Sequence, residues 1–317
     1  MRLLSRLTLC IIATTILTCC SDNKTEESVK QSSIYHWKST FNLSNNEVAL
    51  LQKHNISRIY LKMFDVATEQ NFLNGTIDIN PIATTQFVSP IPSEVEIVPV
   101  VYITIDALRA MHGQEADYAE LIVERALAMC RHNNCGTIKE LQLDCDWTSK
   151  TKGSYNSLCK VARDILRKYD IALSATIRLH QLQESAPPVD RGVLMLYNTG
   201  ALKNPTTKNS ILDIDDAKPY LKATNYPIPL NYAYPAFGWG IEFEGAEFVR
   251  IVTDENETAA ENRYIRKERA SAQEILEVKA LVEKTLGKPK NGNILYHLDE
   301  TQLKNYTDDE ISQILAY

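Results

Sequence analysis

The feature that most constrains this chain is an eightfold alternation. Short β-rich runs recur at Ile34–Trp37, Arg58–Phe64, Val95–Ile105, Lys139–Trp147, Ala172–Leu179, Val193–Tyr197, Leu230–Tyr234 and Ile294–Leu298. Mostly helical connections separate them. Ser44-Asn-Asn-Glu47 spells a capping box ahead of a helix to Lys53. Asp117 opens a helix to about Arg131. Ser154 is predicted to cap a helix whose apolar stripe runs Leu158, Val161, Ala162, Ile165, Leu166, Tyr169, the spacing of one helical face. Asp216–Ala223 reads as a small helix with Pro219 in its first turn, where proline costs little. Ala270–Leu286 stops at Gly287 and Pro289, and Thr307-Asp-Asp-Glu310 caps a last helix. Strands alternating with helices imply a parallel sheet. Eight units with a helix after the last fit a closed (β/α)8 TIM barrel better than an open doubly wound sheet. No G-x-G-x-x-G follows the first strand, as a dinucleotide fold would want. A long insertion follows strand seven, Pro235 to about Arg269, carrying Gly238-Trp239-Gly240 and a hairpin over Ile241–Val252.

Ahead of the barrel region stands a leader. Arg2 and Arg6 precede the apolar run Leu7–Leu17, which is too short to span a bilayer as a helix and reads as a signal-peptide core. The run ends Leu17-Thr18-Cys19-Cys20, which resembles a bacterial lipobox with Cys20 as the lipidated residue. Residues 1–19 are therefore read as a lipoprotein signal peptide and 20–33 as a flexible polar tether, with the barrel over 34–317. The tether's polarity leaves it too little apolar surface to fold. No later run is long enough to span, so the lipid is the only membrane anchor expected. Localisation at the bacterial envelope follows, with the outer membrane or cell surface favoured over the inner membrane.

Cleavage after residue 19 leaves 32 basic against 40 acidic side chains. That balance argues against nucleic acid as a partner, since nucleic-acid binding needs a basic face. The barrel region keeps four cysteines, Cys130, Cys135, Cys145 and Cys159. Export permits disulfides, and Cys130 and Cys135 bracket four residues at a helix end where they could pair. Their spacing matches no usual zinc pattern, and no metal or cofactor is expected. G-x-S-x-G, H-E-x-x-H and P-loop motifs are absent.

In a barrel of this kind, functional groups stand at the C-terminal ends of strands and on the loops after them. Strand four reads Leu141-Gln-Leu-Asp-Cys-Asp-Trp147. Alternation sets Leu141, Leu143, Cys145 and Trp147 on one face and Gln142, Asp144 and Asp146 on the other. The apolar set must pack on helices, so the two carboxylates point inward. Lys62 and Arg178 follow the same parity on strands two and five and are the expected counterions. Asp144, one layer deeper, is expected to be structural, and Asp146 to act in binding or catalysis. Asp65 or Asp299 could serve as a second carboxylate. Further ligand-binding candidates are Tyr102, Tyr197, Asn198, Tyr234, Trp239 and His297, with Asp106, His180 and Tyr232 weaker. Exposed aromatic rings stack on the apolar faces of sugars, and a tryptophan between two glycines suits a ligand or lid role.

Leu143-Asp-Cys-Asp-Trp-Thr148 resembles the fourth-strand signature of chitinase-like glycoside hydrolases of the eighteenth family, which ends Asp-x-Asp-x-Glu. Met195-Leu-Tyr-Asn198 is similar to their strand-six Met-x-Tyr-Asp. The resemblance implies that Asp144 and Asp146 match the two aspartates that orient and polarise the acid. The acid's own position falls on Thr148, and Asn198 replaces the strand-six carboxylate. By overall pattern the chain also resembles a group of bacterial lipoproteins and exported barrels, through Tyr60-Leu-Lys-Met-Phe-Asp65, the Asp-x-Asp strand and Tyr296-His-Leu298. Three functions follow as expectations: a carbohydrate-active enzyme hydrolysing glycosidic bonds with inward carboxylates, a non-catalytic barrel, lacking the general acid, that holds a glycan or cell-wall fragment, or a structural envelope protein with no small ligand.

Overall fold

The computed structural model describes residues 31–71, 75–222, 226–254 and 256–317. The leader, Cys20 and the tether through residue 30 lie outside the described residues, as does Ala223. Eight strands run parallel: β1 (Ser32–His36), β2 (Ile56–Gln70), β3 (Glu96–Ile103), β4 (Glu140–Asp144), β5 (Ala172–Arg178), β6 (Arg191–Met195), β7 (Leu230–Pro235) and β8 (Asn293–Tyr296). Each pairs with the next in chain order, and β1 pairs with both β2 and β8, closing the ring. This is an eight-stranded parallel α/β barrel of the TIM type. β1 begins at Ser32, two residues inside the stretch read as tether. β2 outruns its neighbours, and its end, Asp65–Gln70, turns to pair antiparallel with Ile77–Ile82.

Helices cover the ring where the sequence carries apolar faces. The capping boxes at Ser44 and Thr307 form, and a third forms at Ser271 ahead of the helix Ala272–Leu286. Two boundaries differ from the reading above. The helix after β4 spans Lys152–Arg167 with Thr151 at its N-cap, so Ser154 lies in the first turn rather than capping it. Its buried face is Tyr155, Leu158, Cys159, Ala162 and Leu166, while Tyr169 falls past the end and is 65% exposed. The short helix near residue 216 covers only Ile214–Ala217, which leaves Pro219 beyond it. No helix among the described residues is long and apolar enough to cross a membrane.

Between β7 and the helix Ala272–Leu286 the chain forms a three-stranded antiparallel sheet, with Gly238–Glu244 between Glu247–Val252 and Arg263–Arg269. Close strand packing explains one glycine there. A Cβ on Gly240 would stand 2.5 Å from Ile265 Cγ2 and 3.3 Å from Val252 Cβ, too near for any side chain.

The barrel interior is polar and layered, and β4 shows the layers. Glu140, deepest, accepts from Arg191 at 3.2 Å and from the Tyr60 hydroxyl at 3.4 Å. Gln142 accepts from the Tyr35 hydroxyl at 2.7 Å and donates to Ser174 at 3.4 Å. Asp144 accepts from the Thr176 hydroxyl at 2.6 Å. The alternate residues face out: Tyr155 of the covering helix donates to the Leu143 carbonyl at 3.3 Å, and Trp147 stacks on Tyr155. Cys145 stands against Cys159 of the same helix. The even positions of β4 therefore line the axis, and the register stands as parity requires.

Candidate functional site

The C-terminal ends of the barrel strands converge at the mouth. Asp146, two residues past the end of β4, receives the guanidinium of Arg178, the last residue of β5. Gln181, fully buried in the short 3-10 turn Leu179–Gln183, holds these two ends together. Its side-chain oxygen accepts from the Arg178 N–H at 2.8 Å, and its amide donates to the Trp147 carbonyl at 2.9 Å. The geometry of the Asp146–Arg178 pair thus rests on backbone clamped from one side chain. Nothing in the sequence flagged Gln181, because a 3-10 turn of five residues carries no periodic signal.

Asp144 and Asp146 differ in depth. Asp144 is 2% exposed, whereas the Asp146 side chain keeps 39% of its surface open to the cleft. Burial pushes the Asp144 carboxyl up to about 6. Arg178 opposes that rise, Asp146 adds to it, the Thr176 hydrogen bond opposes it, and Asp65 adds a smaller push. Burial also disfavours the Arg178 charge, but the carboxylates of Asp144 and Asp146 outweigh it and hold the guanidinium firmly protonated. One cation between two carboxylates is the arrangement that buried charges require. Tyr102 of β3, half-buried beside them, has its hydroxyl pushed up to about 12 by burial and then by Asp146 and Asp144.

Lys62 is not the second counterion of this pair. It bonds Asp65 at 3.2–3.3 Å and lies over the Trp37 ring, 5.9 Å from its centroid. Asp299 is not a second carboxylate at the centre either: it caps the turn Glu300–Leu303 through Thr301 and pairs with Lys38 at 3.4 Å. Asp106 pairs with Arg109 on the exposed side of the helix Ile105–Ala110. Tyr234 is turned away from the site. Its hydroxyl, raised by burial and by Glu283, faces the helix Ala272–Leu286, and its neighbour Tyr232 donates to the Gly287 carbonyl at 2.7 Å. Small side chains, Asn231 and Ala233, take the alternate positions of β7. His297 follows a cis peptide after Tyr296 and sits with His36, Lys38 and Asp299. Burial, above all, lowers its ring to about 4, with Asp299 and Lys38 acting in opposite senses.

Tyr35, Tyr197 and Tyr296 line the axis near the mouth, with Tyr60 beside Tyr35, centroids 5.0 Å apart. Tyr197 and Tyr296 stack with centroids 4.6 Å apart, and Tyr296 also meets Tyr35 at 5.5 Å, Trp37 at 5.8 Å and Phe237 at 5.6 Å. Phe237 passes the chain of rings on to Trp239 at 5.3 Å. The Trp239 Nε1–H donates to Glu268 at 3.0 Å, so the ring is held edge-on rather than swinging free between its glycines. Tyr35, Trp37 and Tyr296 were missed from the sequence, although alternation on strand one gives Tyr35 and Trp37 a shared parity.

Beside Asp146 opens a cleft of about 340 Å³, lined by Arg178, His180, Tyr197, Asn198, Thr199 and Tyr220 among others. A larger cavity, about 500 Å³, lies along the three-stranded sheet at Trp239. Asp146 is the one carboxylate lining the first cleft among the described residues. Thr148 has its hydroxyl 3.5 Å from that of Thr151 and its N–H donating to the same oxygen at 2.9 Å. The site holds a fixed ion pair, amide and hydroxyl groups and stacked aromatic rings, and among its described residues no group of three or more His, Cys, Asp or Glu could hold a metal.

The barrel has known structural counterparts. The chain superposes on the spore cortex-lytic enzyme SleL of Bacillus cereus with a TM-score of 0.56 at 14% identity, covering 92% of this chain and 75% of that one. A chitinase from Chromobacterium violaceum gives 0.57 at 12% identity, over 91% and 100% of the two chains. A chitinase from Bacteroides thetaiotaomicron gives 0.55 at 12%, over 91% and 97%. At such identities the likeness shows the fold alone. No family model matches the chain, and no curated protein sequence does.

Proposed function

We propose that this chain is a carbohydrate-binding barrel of the cell envelope, anchored by a lipid on Cys20, that holds a glycan in the Asp146 cleft without cleaving it. One observation carries the reading. The cleft offers one carboxylate, Asp146, and Arg178 already engages it. Hydrolysis of a glycosidic bond calls for a carboxylic acid to protonate the leaving oxygen and a second group across the bond. Thr148, hydrogen-bonded within its own turn, supplies neither. The rival reading, hydrolysis through inward carboxylates, draws on Asp144, whose carboxyl is raised into a useful range for an acid. That group lies under Arg178 and Thr176, out of reach of a sugar oxygen.

Binding finds more support. Tyr220, half-buried, and the buried Tyr197 line the cleft with Asn198, Arg178 and Asp146, the mixture of apolar and directional polar groups that sugars use. Structural counterparts point to amino-sugar polymers. A group IV chitinase of Ostrinia furnacalis is known in complex with allosamidin, and a group II chitinase domain with a chitin oligomer. The test is titration of the full chain with N-acetylglucosamine oligomers, followed by an assay for new reducing ends. Saturable binding without new ends is expected. Cleavage that disappears in Asp146→Asn would establish the hydrolase instead, and absence of binding to amino-sugar oligomers and cell-wall fragments alike would remove the proposal.

A further inference from the structure

The helix Glu115–His132 ends near the N-terminal face of the barrel, at the opposite end of β4 from the cleft. Asn133 is its C-cap and Asn134 turns into the left-handed region at φ 53°. The Cys135 N–H then donates to the Cys130 carbonyl at 3.0 Å. This is the six-to-one bond of a Schellman cap, a motif that sets an apolar pair side by side across the turn. Here both members of the pair are cysteines, and both are buried free thiols. Each is 3% exposed, yet Arg131, His132, Asn134 and Gly136 around them are exposed, so the thiols lie one side chain below the surface.

We infer that Cys130 and Cys135 form an oxidative modification site, a dithiol that a small-molecule or protein disulfide converts to a cystine across the helix cap. Two observations carry this independently of any glycan. The cap sets the two cysteines side by side across one turn, whereas Cys145 and Cys159 are sealed between β4 and its covering helix. The neighbouring Cys130 thiol holds Cys135 below the ordinary thiol range, which makes Cys135 the first nucleophile. Its thiolate attacks one sulfur of the oxidant's disulfide and expels the other as a thiolate. Cys130, losing its proton, then attacks the Cys135 sulfur and expels the second. One disulfide is broken and one formed, and two electrons and two protons leave with the oxidant as two thiols. The helix terminus supplies the opening, since helix ends fray at low cost.

The test uses the folded full chain in a series of glutathione and oxidised-glutathione mixtures, quenched by alkylation and digested with trypsin. Cleavage after Arg131 separates the two cysteines, so the cystine appears as peptide 126–131 joined to peptide 132–139. That joined species is expected to rise with oxidant, while Cys145 and Cys159 remain alkylable thiols once the chain is unfolded. Cys130→Ser should abolish the joined species. Recovery of Cys130 and Cys135 as alkylated thiols across the series, or joined only to glutathione or to other cysteines, would overturn the inference.

Discussion

The Thr176 hydroxyl donates to Asp144 at 2.6 Å across adjacent barrel strands, and it is the shortest uncharged contact that this buried carboxyl makes. Together with Arg178 it decides how far the carboxyl departs from ordinary behaviour. Burial still wins, holding Asp144 at about 6 against an ordinary 3.8.

The sign of the resulting pH dependence follows from linkage. A folded-state value above the unfolded one means that folding favours the protonated carboxyl. This stabilisation is complete below pH 3.8 and is lost as pH rises through 6. A rise from 3.8 to about 6 corresponds to about 3 kcal/mol between the two protonation states. Asp144→Asn does not titrate, so the stability of wild type relative to this variant should fall by up to about 3 kcal/mol between pH 3.5 and pH 7.5. Chemical denaturation at both pH values measures it, and a difference that stays constant would refute the assignment.

Asp146→Asn should behave otherwise. The residue is partly open to the cleft, and Arg178 keeps Asp144 as a partner when the charge is removed. The melting temperature is expected to stay within about 4 °C of wild type, the effect of less than 1 kcal/mol. Affinity for an amino-sugar oligomer should fall at least tenfold, about 1.4 kcal/mol. A variant that melts far below wild type with unchanged affinity would make Asp146 a structural residue.

Gln181→Ala tests the clamp behind the ion pair. It leaves the Arg178 N–H and the Trp147 carbonyl without their partner in a buried setting. The expected destabilisation is about 2–4 kcal/mol, the cost of two stranded backbone groups. Gln181→Glu, which keeps the acceptor and loses the donor, should recover part of it. Equal losses in the two variants would show that the Arg178 contact contributes nothing.

Cys20→Ala addresses the anchor. Lipidation at that residue would supply the whole membrane affinity, because no helix among the described residues is long and apolar enough to span in its place. Fractionation with a labelled fatty acid should find the variant unlabelled and released. A labelled, membrane-bound Cys20→Ala protein would move the anchor to Cys19.

Much of this barrel was legible because its strands and helices repeat in strict turn, and because Leu141-Gln-Leu-Asp-Cys-Asp alternates cleanly enough to orient both aspartates. β7 defeated the same logic. Barrel strands are covered on both faces, so alternation separates two sets without saying which set faces in. Leu230, Tyr232 and Tyr234 share one parity, and size decides the outcome: the tyrosines reach the helix layer, while Asn231 and Ala233 fit the crowded interior. Lys62 had the correct parity and still missed Asp144, because Asp65, three residues along the same strand, is the nearer charge. His297 was unreadable for a different reason. It lies just past β8, where the strand period no longer governs direction.

The first strand closes the ring by pairing on both flanks, to β2 over Ser32–His36 and to β8 at Ser33 and Ile34. It is also the first of the described strands that a pull on the N-terminal side of the chain would meet. Because its neighbours run parallel to it, such a load is spread in shear over both ladders at once instead of unzipping one bond after another. A protease cut between His36 and the helix Asn45–Lys53 would have the contrary effect. Losing β1 exposes the unpaired edges of β2 and β8 together, and a cylinder without edges becomes an open sheet with two.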